Sequence, residues 1–267
     1  MQGKSAQNVE ITFPAPIESG YEANGIEEKI GEATIQDNKL CFDMASYQPR
    51  TFAIRLKKGK VKADPIKNIP LQLPFNSKAF TPENFGYTVS FDKKGNSFAA
   101  ELIGDKVTCD DITFSIANYE NKNVIKCKGD TIQLPKEAAG KKLYILATST
   151  DKDRKAKFIV NSKSHEFEIP YYSGFYGQWG HKGVSDGYIR NASLAYIGSH
   201  RHTKKGNDTY IYTYMYKFGI ELPKEAHTLV LPKDENIAVF AITLSDNYID
   251  NISAANEMRT LPLEVSK

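Results

Sequence analysis

The chain has 267 residues, which at roughly 150 residues per domain sets an expectation of one large or two smaller domains with a proper core and excludes a miniature stapled scaffold. Lys plus Arg number 35 against 32 Asp plus Glu, so a net charge of +3 leaves no basic footprint and nucleic acid is not an expected partner. No apolar run approaches the roughly eighteen residues of a membrane-spanning helix and Met1 to Gln7 is polar, so the expectation is a soluble chain with no membrane partner and no visible secretion signal.

The 15 Tyr and 14 Phe, with many Thr, Val and Ile, favour pleated structure. In chain order, Val9, Ile11 and Phe13 alternate on a first strand, and Phe52, Ile54 and Leu56 on another. Between them Asn24-Gly25 suits a tight primed turn in which both central residues take positive φ, and Asp37-Asn38 separates two short apolar runs. Short loops between strands imply antiparallel sheets. The predicted fold class is therefore all-β: a small N-terminal β domain over 1–58, followed by a larger, jelly-roll-like (galactose-binding-like) antiparallel β-sandwich over 71–247.

Lys57, Lys58, Lys60, Lys62 and Lys67, interleaved with Gly59, Pro65 and Pro70, read as a solvated linker over 59–70. Further on, Lys94-Gly95-Asn96 breaks another strand pair. Leu134-Pro135-Lys136-Glu137-Ala138 and Leu222-Pro223-Lys224-Glu225-Ala226 echo one another ahead of apolar runs, as two equivalent strand-entry corners would. From Tyr210 to Ile220 every second residue is aromatic or apolar, a ladder for the inner face of a sandwich or a sugar-stacking platform. The continuous run Ile237–Leu244 predicts a central strand covered on both faces. Residues 248–267 lose alternation and read as a closing segment or tail.

Few catalytic signatures are present. There is no phosphate loop and no nucleophile elbow, and Cys41, Cys109 and Cys127 are odd in number and match no metal-finger spacing, so they read as small buried residues. Unusual residues concentrate in one region: Tyr172, Tyr176, Gln178, Trp179 and His181, followed by His200-Arg201-His202. An indole beside Gln178, His181 and Arg201 could hold a sugar, because pyranose C–H faces pack on rings while hydroxyls need fixed donors and acceptors. That makes Tyr172, Tyr176, Gln178, Trp179, His181 and Arg201 the candidate carbohydrate-binding residues; the alternative is a corner between sheets whose Trp is core. His200 and His202 point the same way on a strand, and with His181 are weak candidates for zinc, with Arg201's fixed charge against them. Asp110-Asp111, Asp151-Lys152-Asp153 and Asp246 are candidates for a calcium loop without diagnostic spacing.

The run Asp43-Met44-Ala45-Ser46-Tyr47-Gln48-Pro49-Arg50-Thr51-Phe52, together with Leu73-Pro74-Phe75-Asn76, Lys128-Gly129-Asp130-Thr131, Gly174-Phe175-Tyr176-Gly177-Gln178-Trp179 and Gly198-Ser199-His200-Arg201-His202, resembles in its order the C-terminal β region of bacterial glycoside hydrolase family 38 α-mannosidases. Family members carry zinc and catalytic aspartates in an α/β barrel for which this chain has no alternating βα units. The resemblance thus implies a non-catalytic C-terminal region with no catalytic residue and no cofactor of its own, while zinc belongs to the parent's catalytic domain. It implies that domain as partner, mannose-containing glycans as further ligands, and no hydrolysis by this piece alone. A periplasmic or extracellular setting fits such a parent, although no signal in this chain assigns a compartment. The competing readings are a free-standing carbohydrate-binding module and an adhesion or protein-interaction sandwich.

Overall fold

Alternation, apolar runs and turn chemistry anticipate several of the strands in the computed structural model, among them those over 51–56, 206–221 and 237–245; the structure describes residues 5–58, 66–83, 89–174 and 192–247, with the backbone of 177–178 and 188–189. Tyr176, Trp179, His181, the side chain of Gln178 and the predicted tail over 248–267 lie outside the described residues. The chain divides into two compact units, Met1–Pro65 and Ile66–Lys267. Among the described residues no helix is long and apolar enough to cross a membrane.

The first unit holds β1 (Ala6–Thr12), β2 (Ile17–Ala23), β3 (Lys29–Glu32), β4 (Thr34–Gln36), β5 (Lys39–Met44) and β6 (Thr51–Leu56) in two three-stranded antiparallel sheets, β1-β5-β4 and β3-β2-β6. Asp37 and Asn38 both adopt positive φ (47° and 62°), the geometry of a two-residue primed hairpin turn. Asn24-Gly25 differs from expectation. Asn24 Oδ1 accepts from the Ile26 and Glu28 amides and the positive φ falls on Glu27, so the side chain of Asn24 organises a longer loop. Few side chains are buried here, among them Ile17, Ala23 and Leu40. Arg50 supplements them: its guanidinium lies over Phe42 and Phe52 and grips both oxygens of Glu22, at 2.7 and 2.6 Å. That contact holds the Glu22 carboxyl below its ordinary range.

The second unit runs through β7 (Asn68–Pro70), β8 (Phe80–Thr81), β9 (Ser97–Ala99), a 3₁₀ turn at Ala100–Leu102, β10 (Lys106–Cys109), β11 (Ile112–Ser115), β12 (Ile125–Lys126), β13 (Thr131–Gln133), β14 (Lys142–Ser149), β15 (Arg154–Val160) and β16 (Lys163–Ile169). It continues with β17 (Gly177–Gln178), β18 (Tyr188–Ile189), β19 (Ser193–Thr203), β20 (Gly206–Glu221), β21 (Thr228–Val230) and β22 (Ile237–Ser245). An eight-stranded sheet in the order β12-β22-β14-β20-β19-β9-β8, with β7 also on β22, packs against a four-stranded sheet β13-β21-β15-β16. The all-β antiparallel sandwich expected from the sequence is what forms, with one parallel pair, β8 and β9. The expected linker is shorter than 59–70, because Asn68–Pro70 pairs with Thr243–Ser245.

Every residue of β22 is buried, as its unbroken apolar run demands. Ile237, Val239, Ile242 and Leu244 join the cluster facing the smaller sheet, whereas Ala238, Phe240 and Ala241 join an aromatic cluster on the other face. A bulge explains why Phe240 and Ala241 share a side: Leu146 pairs with Ala241 and Ala147 with Val239, leaving Phe240 as the extra residue. The ladder behaves as an inner face only in part. Tyr214, Tyr216, Phe218 and Ile220 are buried, but Tyr212 and Tyr210 are exposed. The two echoed corners do meet: the Gly140 amide donates to the Pro223 carbonyl and Leu222 to Lys141, with Leu134, Ala138, Leu222 and Ala226 in one core.

Candidate functional site

The site is built where β19 passes between β20 and β9. Arg201 pairs with Phe98 and Asp208, and His202 with Ser97 and Asn207, so backbone ladders on both sides fix this stretch. The strand period of two sets His200 and His202 side by side, with ring centroids 5.4 Å apart. β9 then runs directly into the 3₁₀ turn carrying Glu101, and this brings its carboxylate over the pair. Glu101 Oε1 lies 3.2 Å from His200 Nε2 and 2.9 Å from His202 Nε2. His202 is buried, while the Glu101 side chain stays about one-third exposed (32 %). Ser199 Oγ meets the other nitrogen of His200 at 3.3 Å. His202 also borders a shallow open groove lined by Thr81, Glu83, Lys204 and Asn207.

Two buried hydroxyls meet at Gly198, upstream on the same strand. Tyr196 Oη and Thr213 Oγ1 are buried without a hydrogen-bond partner, 2.8 and 2.5 Å from where a Cβ would stand on Gly198, two residues before His200. Burial raises the pKa of the Tyr196 phenol, and the negative charge of Glu101 adds to the effect. The same crowding explains why residue 198 is glycine.

Beyond the histidines the β19–β20 ribbon departs from regular pairing. Gly198 pairs with Thr213 and His200 with Thr209, so residues 210–212 bulge out, and Tyr210 sits at φ 64° with 81 % of its surface exposed. Ile197 and Tyr212 are exposed in the same stretch. Arg201 donates through Nε and Nη2 to Asp208 at 2.8 and 2.7 Å, which neutralises the charge next to the histidines.

Sequence expectation and structure part company at three points. Tyr172 is fully buried, its ring against Phe91 and Phe98 and its hydroxyl donating to Asp92 at 2.9 Å, so it belongs to the core and its faces are closed to a sugar. The carboxylate partner of His200 and His202 is Glu101, which no short-range motif announces. Among the acidic calcium candidates, Asp110 pairs with Lys217 at 2.5 Å, Asp151 pairs with Arg154, Asp153 accepts from the Tyr171 amide, and Asp246 accepts from the Lys67 amide with Lys141 3.8 Å away. Gln178 is described only through its backbone, in β17 opposite Tyr188.

A family model described as the AziU2-like beta-sandwich domain matches residues 67–248. The chain belongs to the AziU2-like β-sandwich domain family. The matched span opens one residue before β7 and closes just after β22, so the AziU2-like domain lies within the second compact unit and contains Glu101, His200, His202 and the Tyr210 bulge. No curated protein matches the chain.

Proposed function

We propose that the chain is a non-catalytic recognition module that binds mannose-containing glycans through the exposed flank of the β19–β20 ribbon. The observation that carries this reading is Tyr210: a large aromatic residue, four-fifths exposed, held at positive φ in a bulge beside exposed Ile197 and Tyr212. A non-glycine residue in the left-handed region costs on the order of 1 kcal/mol, and such strain at an exposed ring is a mark of a surface kept for contact rather than stability. Tyrosine faces suit pyranose C–H surfaces, and Arg201, one step along the ribbon, brings a fixed donor.

The motif order that resembles α-mannosidase β regions supports the same non-catalytic role. It adds the parent's catalytic domain as a partner for this module and mannose as the sugar class, with Trp179 as a second stacking residue. The test is calorimetric titration of the full chain with a mannose-containing oligosaccharide. Saturable binding is expected, weakened at least about tenfold by Tyr210→Ala and by Trp179→Ala, in line with the weight aromatic anchors carry in binding sites. No hydrolysis of a chromogenic α-mannoside is expected from the same preparation. Absence of saturable binding, or unchanged affinity in the Tyr210 variant, contradicts the reading.

A further inference from the structure

We infer that Glu101, His200 and His202 form a binding site for one divalent transition-metal ion of the zinc class. The ligand atoms of the three residues all lie within 4.8 Å of one another. A tetrahedral ion with bonds of about 2.0–2.1 Å holds its ligand atoms about 3.3 Å apart, and the carboxylate oxygen is already 3.2 and 2.9 Å from the two imidazole nitrogens. The carboxylate needs to move outward by only a few tenths of an ångström, and the two imidazoles, whose ligand atoms lie within 4.8 Å, need only a rotamer-scale adjustment to share such an ion.

The donor set selects the ion class. Two imidazoles and one carboxylate suit zinc, iron(II), cobalt or nickel, and disfavour magnesium or calcium, which want oxygen throughout. Three protein ligands leave coordination positions open, on the side where Glu101 reaches solvent and where the groove lined by His202 and Glu83 gives access.

The surroundings match those of built metal sites in three ways. Ser199 Oγ lies 3.3 Å from Nδ1 of His200, a hydroxyl able to accept from Nδ1–H when Nε2 ligates; this is an outer contact of the kind that orients a ligating imidazole. Both histidines stand on a strand paired on both sides, and Glu101 is carried by the 3₁₀ turn that directly continues the neighbouring strand, so two of the three ligands are fixed by ladders and the third is anchored next to one. The unpartnered hydroxyls of Tyr196 and Thr213 put uncommitted polar groups at Gly198, two residues before His200 on the same strand. Arg201 does not oppose the ion, because Asp208 carries the balancing charge.

This inference stands apart from glycan recognition and is tested separately. The full chain, stripped with a chelator, is titrated with Zn²⁺ in competition with a chromophoric chelator and with Co²⁺ followed by its visible absorption. Expected is one equivalent bound in the micromolar range or tighter, a rise in melting temperature on adding Zn²⁺, and no competition from Mg²⁺. His200→Ala and Glu101→Gln, chosen because these side chains are more exposed than His202 and because folding can be checked by circular dichroism, should each weaken binding by roughly 100-fold or more, since even outer contacts are worth tenfold to hundredfold. Zn²⁺ should then no longer raise their melting temperature. Absence of saturable Zn²⁺ binding by the wild-type chain, or equal affinity in both folded variants, overturns the assignment.

Discussion

β22 and the outer half of the β19–β20 ribbon belong to one sheet yet are built to opposite ends. β22 is buried along its whole length, pairs on both edges and sends side chains into both cores. The outer ribbon gathers histidines, an arginine, a bulge and exposed aromatics, and spends regular pairing to place them. The contrast teaches that this fold keeps its closed core and its exposed, irregular surface apart on one sheet, and the proposed recognition role falls on the second. The central strands bury the few polar groups they carry against fixed partners, as Thr148 does on the Pro170 carbonyl and Thr243 on the Thr113 carbonyl, whereas the ribbon tip is firm enough at His202 to aim side chains and irregular enough at Tyr210 to expose them.

Substitutions at the two ends should behave differently, and the largest effect belongs to the centre. Phe240 packs against Phe80, Phe91 and Phe98 at ring separations of 5.7, 5.8 and 5.4 Å. Phe240→Ala should cost about 3–5 kcal/mol, read as a lower urea midpoint. A loss under about 1 kcal/mol would mean that the aromatic core is looser than its packing implies. At the ribbon tip the sign should reverse. Tyr210→Gly relieves the positive φ and should raise stability by up to about 1 kcal/mol, while glycan binding is lost; a destabilised variant would show that the bulge is structural.

The smallest effect is electrostatic and lies at the far end of β14. Arg154 donates to both oxygens of Asp151, at 2.8 and 2.6 Å, and these bonds bring the carboxyl down from 3.8 to about 2. A depressed folded-state pKa means that the contribution is complete above about pH 4, where the unfolded chain is also ionised, and is lost as pH falls through about 2. Asp151→Asn should therefore lower the melting temperature slightly at neutral pH and flatten its fall between pH 4 and 2. Parallel curves for variant and wild type would assign the acid sensitivity to other groups.

The centre of the sheet was legible because its signals are local. An unbroken apolar run, period-two alternation and repeated Leu-Pro-Lys-Glu-Ala corners each declare themselves within a dozen residues. The ribbon tip was legible only halfway. His200 and His202 could be placed on one side of a strand from their spacing alone, but Glu101 lies 99 residues before His200 and reaches it only through the pairing of β9 with β19. The bulge was hidden for the same reason: Tyr210 and Tyr212 continue the alternation perfectly in sequence, and only the register against β19 turns them out of the core. Tyr172 misled in the reverse direction, since an aromatic neighbourhood in sequence says nothing of whether Asp92 will capture the hydroxyl inside.

The most direct measurement is a residue-by-residue NMR map of the full chain during titration with a mannose-containing oligosaccharide. Shifts should concentrate at residues 197–201 and 208–212 and leave β14 and β22 unmoved. Shifts confined to the first unit or spread through the central strands, or no shifts at all, would contradict the placement of recognition at the ribbon tip.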